Sequence, residues 1–254
     1  MNTKKRLSWR TIMIWGLGLL LLGLGSVSIL WLQPHFLIKR LAAWYPDVLF
    51  YVETERQAIA LTIDDAPHHE LTPRILEVLS RFDVKATFFL MGENVIGNET
   101  ILLRMRTEGH ELANHMMQDR PTIFLSRQDF AERLLAADAL IQPNGKYRWF
   151  RPGSGWFSGR MIRQARSLGY RCCLGSIYPH DNKLRRPDWI TQAVADRVHP
   201  GAVIVLHGGS PNREYVVAVL EKLIPALQDA GYEFLTVSEL YALQGSEAGS
   251  RSDP

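Results

Sequence analysis

Six polar residues close separate hydrophobic runs in this 254-residue chain. Asp64 and Asp65 follow ALTI, His115 follows HELAN with Asp119 four residues on, Arg151 follows YRWF, and His207 follows AVIVL. Together they are the inventory of a metal-dependent hydrolase: donors for an ion, a base, a residue to orient the base, and an acid. Each has a plainer alternative. An Asx turn explains one aspartate at a strand end, less easily two, and Pro67 then stops the strand. His115 and Asp119 share a face at helical spacing, as half of a divalent-ion site or as a surface pair. The segment Arg151-Pro152-Gly153-Ser154-Gly155 offers backbone N–H groups to a developing oxyanion, or is ordinary strand-to-loop punctuation. His207, before Gly208-Gly209, reaches substrate or is a satisfied core histidine.

These residues need elements that bring them to one place. Short β-rich runs alternate with segments of helical period, the pattern of repeated β-α units and a largely parallel sheet. Strands are expected at 58–64, 85–91, 110–114, 147–150, 170–177, 202–206 and 232–237. Helices are expected at 73–82, 99–108, 127–141 behind Ser126, 159–168, 189–198 and 213–229, and Gly109, Gly169 and Gly231 follow three of these as C-terminal glycines do. About seven parallel strands predict a distorted, incomplete (β/α) barrel, whose active site sits at the C-terminal strand ends, where the six residues lie. Tyr178, Trp156 and Trp189, on or near loops at that end, either offer ring faces to a substrate or are buried.

Forty-six per cent hydrophobic residues suffice for one sizeable core. The formal net charge is +3, but Lys4, Lys5, Arg6 and Arg10 account for four positives, leaving 25 against 26 elsewhere. The basic balance therefore does not point to nucleic acid, and no basic stripe with interleaved aromatics exists. Residues 11–32 are uncharged and apolar; as a helix they span roughly 33 Å, the thickness of a bilayer's hydrocarbon core. The preceding Lys4-Lys5-Arg6 puts the N-terminus in the cytoplasm and the rest outside, with Trp15 and Trp31 as interfacial anchors. Small residues at Ser26-Val27-Ser28 also allow a cleaved signal peptide, though the apolar run continues through Leu32. Either way the body is exported, and a single-pass membrane location is expected. The neighbours Cys172 and Cys173, the only cysteines, are read as small buried strand residues. The expected division is a basic segment (1–10), a membrane anchor (11–32), a linker (33–54), one catalytic domain (55–243) and a disordered tail (244–254).

Taken in order, ALTIDDAP, TPRILEVL, VKATFFLMGENV, EGHELANH, FRPGSG, LGYR and IVLH resemble the polysaccharide deacetylases, the family four carbohydrate esterases with the nodulation-factor deacetylase homology domain. The likeness covers about residues 55 to 240. It implies that Asp64 is the catalytic base and Asp65 a metal ligand, from the family's T-F-D-D-G, which reads here Thr62-Ile63-Asp64-Asp65-Ala66. It implies ligands at His115 and Asp119, where the family's H-(S/T)-x-x-H has a second histidine; this chain's Asp-His-Asp set is harder and richer in oxygen. From R-P-P-(Y/F)-G, Arg151 holds the base, and the backbone amide of Ser154 replaces that of the aromatic as oxyanion donor, with Gly155, Trp156 and Tyr178 beside the substrate. Asp181, followed by Asn182 in place of the family's tryptophan, steers His207, the general acid. One divalent ion is implied, zinc first, with cobalt, nickel or manganese as alternatives.

The departures at Ala66, Asp119, Ser154 and Asn182 describe a divergent subgroup in which base and acid both remain. The activity expected is removal of N-acetyl groups from N-acetylglucosamine-type units of an envelope polysaccharide: peptidoglycan, an exopolysaccharide or a chitin-like oligomer. Two alternatives are a non-catalytic glycan-binding or assembly protein of the same fold and an amidase for small C–N substrates.

Overall fold

In the computed structural model, residues 33–250 are described together with Trp9 and Trp15, and side chains through residue 244. The expected membrane segment 11–32 lies, apart from Trp15, outside the described residues. Among the described residues no helix is long and apolar enough to cross a membrane.

Eight strands form one sheet in which every pair is parallel: β1 (Val48–Leu49), β2 (Ala58–Asp64), β3 (Thr87–Leu90), β4 (Glu111–Asn114), β5 (Arg148–Phe150), β6 (Tyr170–Cys173), β7 (Val203–His207) and β8 (Glu233–Leu235). The order is β1-β6-β5-β4-β3-β2-β7, with β8 joined to the start of β2. Isolated bridges Tyr51↔Ala202 and Ile177↔Ile204 tie the β1 and β6 side to β7, so the sheet curls back on itself. Among the described residues the count is eight strands, one more than the periodicity gave. The added strand is β1, two residues long and therefore without a readable period, held by Val48↔Cys172 and Leu49↔Cys173.

Helices cover the outer face: α1 (His35–Trp44), α2 (Leu71–Arg81), the short α3 (Gly92–Val95), α4 (Glu99–Thr107), α5 (Arg127–Ile141), α6 (Gly159–Ser167), α7 (Pro187–Ala195), α8 (Tyr215–Asp229) and α9 (Val237–Ser250). Two starts are fixed by serine caps: Ser126 Oγ accepts from Asp129 N at 3.1 Å and Ser158 Oγ from Met161 N at 3.3 Å. Segment 33–54 is thus not a plain linker, since it contributes α1 and a strand of the sheet. The chain beyond 243 is likewise not a plain tail, because α9 runs to Ser250. Its Val237 and Leu240 pack with Trp149, and Ser238 Oγ accepts from the Trp149 indole at 3.0 Å, which closes the end of the sheet opposite the strand C-termini.

Alternation along the strands positions the chemistry. In β2, Ile59, Leu61 and Ile63 face the helices, in one cluster with Leu71, Ile75, Val219 and Leu223. Ala58 and Ala60 face inward, with Phe89, Ala113, Trp149, Cys173 and Val203. A side-chain period of two continues that inner series to Thr62 and Asp64 on β2, His115 after β4, Arg151 after β5 and His207 at the end of β7. All seven residues of β2 are buried, as befits a parallel strand covered on both faces.

Candidate active site

The inner face ends in two ion pairs set side by side. Asp64 and His207 are register partners across β2 and β7. Asp64 is 3% exposed and Arg151 2%, and Arg151 Nη1 donates to Asp64 Oδ1. The same guanidinium donates to Thr62 Oγ1 at 2.9 Å and from Nε to the Cys173 carbonyl at 3.0 Å, and lies 3.9 Å over the Phe89 ring. Burial works against the charge on Arg151, but Asp64, joined by Cys173 and Tyr178, more than offsets it and raises the pKa. With Oδ1 committed to Arg151, Oδ2 is the oxygen of Asp64 left to accept a proton.

In the loop after β6, Asp181, 1% exposed, accepts from the His207 amide and holds His207 Nδ1, both at 2.8 Å. Tyr215 fixes the Asp181 loop by donating its hydroxyl to the Asp181 carbonyl. Burial would lower the pKa of His207, but Asp181 dominates and pushes it up to about 9. Its Nδ1 is taken, so Nε2 is the nitrogen that can give up a proton.

Asp65 and His115 lie beside these pairs. His115 Nδ1 sits 2.9 Å from the Arg151 carbonyl, an acceptor, so the ring when neutral keeps its proton on Nδ1 and turns the Nε2 lone pair toward the carboxylates. Nε2 is 3.4 Å from Asp65 Oδ1 and 4.0 Å from Asp64 Oδ2. Asp65 Oδ1 is buried without a hydrogen-bond partner. An orphaned carboxylate oxygen facing an imidazole lone pair is a cation-shaped pairing, and these two donors fit a divalent ion. Burial opposes the charge on Asp65, but His115, His207 and Arg213 hold its pKa below the usual carboxylate range.

Asp119, expected beside them, stands elsewhere. It is exposed, and its Oδ1 accepts from the Ser154 amide at 2.8 Å. Among the described residues no three His, Cys, Asp or Glu side chains are gathered as an ion site. The cause is local: Met116 takes φ 67°, and Gly92 N and Glu93 N bind the Met116 and Met117 carbonyls at 2.9 and 3.1 Å, which turns the loop outward before Asp119. One contact thus occupies both the expected third ligand and the expected oxyanion donor. The Ser154 loop is otherwise shaped as expected, with Ser154 at φ 56° and Gly155 at φ 69°. Gly153 must be glycine, because a Cβ there would stand 2.4 Å from the Arg120 carbonyl oxygen.

Of the aromatic candidates, Trp156 is 62% and Trp189 39% exposed, so neither is buried. Tyr178 is not free for substrate, since its hydroxyl donates to the Leu174 carbonyl and its amide to Gln33 Oε1 at 3.1 Å. Three residues of the site were not singled out as functional in the sequence. Arg213 Nη1 donates to Asp65 Oδ2 at 2.8 Å, Asn94 Nδ2 donates to the Asp65 carbonyl at 2.6 Å, and Gly209 passes so near Asp65 that a Cβ would stand 2.0 Å from its carbonyl oxygen. Only the glycine pair after His207 was legible, as punctuation. A cavity of about 1130 Å³ lies apart from all this, lined by His35, Tyr51, Trp149, Arg171, His199 and Tyr241.

Known proteins share this arrangement of motifs. The polysaccharide deacetylase family matches residues 51–173. A peptidoglycan-N-acetylglucosamine deacetylase of Bacillus cereus is 31% identical over 201 residues, 76% of this chain and 92% of that protein. A chitooligosaccharide deacetylase of Sinorhizobium fredii is 33% identical over 192 residues, 70% and 89% of the two chains. Among solved structures, the Bc1960 peptidoglycan N-acetylglucosamine deacetylase superposes with a TM-score of 0.72 at 28% identity, over 77% of this chain and 93% of that one. BA3943 of Bacillus anthracis, described as a pseudoenzyme of carbohydrate esterase family four, gives 0.70 at 29%, over 76% and 68%. An acetyl xylan esterase of Clostridium thermocellum, in complex with cobalt, gives 0.68 at 29%, over 74% and 92%. With a relative 31% identical across nine-tenths of its length, the chain belongs to the polysaccharide deacetylase family.

Proposed function

We propose that the protein hydrolyses N-acetyl groups from N-acetylglucosamine-type units of an envelope glycan, releasing acetate. The observation that carries this is the facing of two prewired ion pairs, Asp64–Arg151 and His207–Asp181, on register-paired strands. Asp64 Oδ2 takes a proton from the attacking water. His207 Nε2 delivers one to the departing amine, so the C–N bond breaks with the nitrogen neutralised. The Ser154 amide, once Asp119 leaves it, donates to the oxyanion. Asp65 and His115 would hold a divalent ion, with Asp119 as the third donor the sequence supplies and zinc as the first candidate. When bound, such an ion polarises a carbonyl and lowers the pKa of water. Residues 11–32 keep the enzyme at the membrane with its body exported.

One observation favours a second reading, a binding protein without catalysis: Asp119 rests on the very amide the reaction needs. Acetate release from N-acetylglucosamine oligomers by the full chain with zinc decides. Wild type should release acetate, and Asp64→Asn and His207→Gln should each lose about 10²- to 10⁴-fold in kcat. Glycan binding without acetate at any added metal would sink the enzymatic reading.

A further inference from the structure

Two of the relatives are named for peptidoglycan and for chitooligosaccharides, the first a glycan that bears carboxylates and the second neutral. The loop from Asp181 to α7 reads Asn182-Lys183-Leu184-Arg185-Arg186. Lys183, Arg185 and Arg186 are exposed, and none has a carboxylate partner among the described residues. The loop is not a loose appendage. The amides of Lys183 and Leu184 both bind the His180 carbonyl at 2.9 Å, a turn that anchors the start of the basic run beside Asp181, which holds His207.

A fourth cation stands alongside. Arg213 spends one nitrogen on Asp65, and the charges of Arg213 and Arg185 both reach the Tyr215 phenol, whose hydroxyl donates to the Asp181 carbonyl. Nearby acids are already paired: Asp181 with His207, Asp188 with Lys222, and Glu214 with Arg74 at 3.7 Å. With residues 1–10 set aside the chain is close to neutral, so this local excess of cations is not a reflection of composition. The position where the resemblance places a tryptophan is here Asn182, which leads into the basic run.

We propose that Lys183, Arg185 and Arg186 select an acidic glycan, one in which a carboxylate-bearing N-acetyl sugar neighbours the unit being deacetylated, over a neutral N-acetylglucosamine polymer. The inference rests on the deacetylase reading and sharpens its substrate. A cleft rim of one sign raises the local concentration and encounter rate of oppositely charged substrate about 10- to 10³-fold, and salt weakens the effect as the Debye length falls from about 10 Å at 0.1 M to about 3 Å at 1 M.

The test uses the full chain and the triple variant K183Q/R185Q/R186Q, after confirming equal melting temperatures. Substrates are an N-acetylglucosamine hexamer and an acidic hexasaccharide alternating N-acetylglucosamine with its lactyl-carboxylate ether. Wild type should favour the acidic oligomer in kcat/KM, with the preference shrinking in high salt. The triple variant should lose about tenfold or more on the acidic oligomer and nothing on the neutral one. No preference in wild type, or an unchanged ratio in the variant, overturns the proposal. An unchanged ratio with lost binding to phosphatidylglycerol vesicles gives the patch to a lipid surface instead. If wild type releases acetate from neither oligomer, the deacetylase reading fails separately, and the affinities of the two unhydrolysed oligomers for wild type and variant still decide the selectivity.

Discussion

The two sides of the site are built differently. The acid–base side consists of Asp64, Arg151, Asp181 and His207, all on strand ends or bonded directly to them, with Asp64, Arg151 and Asp181 each no more than 3% exposed. The other side consists of Asp119, Ser154 and Trp156, on exposed loops between elements. A buried ion pair keeps its geometry because leaving either partner alone is expensive, whereas an exposed pair exchanges partners with water at little cost. The first side is therefore held in one geometry, while the Asp119–Ser154 contact is free to exchange; on the proposed function this separates a preorganised proton-transfer pair from an oxyanion contact made with substrate.

Removing the cation from the buried side should produce the largest effect on the fold. Arg151→Met leaves Asp64 charged and unpaired beside Thr62, for a loss of about 3–5 kcal/mol in unfolding free energy. Asp64→Asn in the same chain should return part of it, since the double variant buries no lone charge. Denaturant midpoints of the three variants measure this. A loss under about 1 kcal/mol in Arg151→Met would show that the pair is not what fixes this side.

Asp181→Asn probes the same side through pH. Because the folded pKa of His207 is about 9 against 6.5 for a free imidazole, the protonated acid persists below about 9 and is lost as pH rises through it. The alkaline limb of kcat/KM should therefore lie near 9 in wild type. In Asp181→Asn only Asp64 and Asp65 are left to oppose burial, so the limb should move down in pH. A limb that does not move would assign it to some group other than His207.

The contrast also explains what could be read from the residues alone. The strand over 58–64, the helix over 127–141 and the polar strand ends Asp64, Arg151 and His207 were legible, because period-two and period-3.6 patterns depend on near neighbours in sequence. Asp64, Arg151 and His207 then came together because strand registry, a global consequence of those patterns, aligns their ends. What escaped depends on loops. Arg213 reaches Asp65 across 148 residues from a short 3₁₀ turn, and Asp119 turns outward at a left-handed Met116, neither with any periodic trace. The strand β1 escaped because two residues show no alternation, and α9 because its polar C-terminal sequence hides the two apolar residues that dock it.

Asp119 is where the two sides can be told apart most finely, since its variants should scarcely disturb the fold. Its carboxylate is exposed and its partner, the Ser154 amide, is within reach of water, so Asp119→Ala should change unfolding free energy by no more than about 0.5 kcal/mol. Zinc affinity, measured by calorimetry on the metal-stripped full chain, should respond far more. If Asp119 leaves Ser154 to complete the pair Asp65 and His115, alanine should weaken binding about tenfold or more, as loss of even an outer contact to a metal ligand does, and Asp119→His should restore it. Alanine that leaves zinc affinity intact and raises acetate release would show the opposite: the carboxylate is then a plug on the oxyanion donor, and the ion is held without it. The first outcome makes the exposed side a half-built site completed by its ion; the second makes it a site held shut by its own side chain.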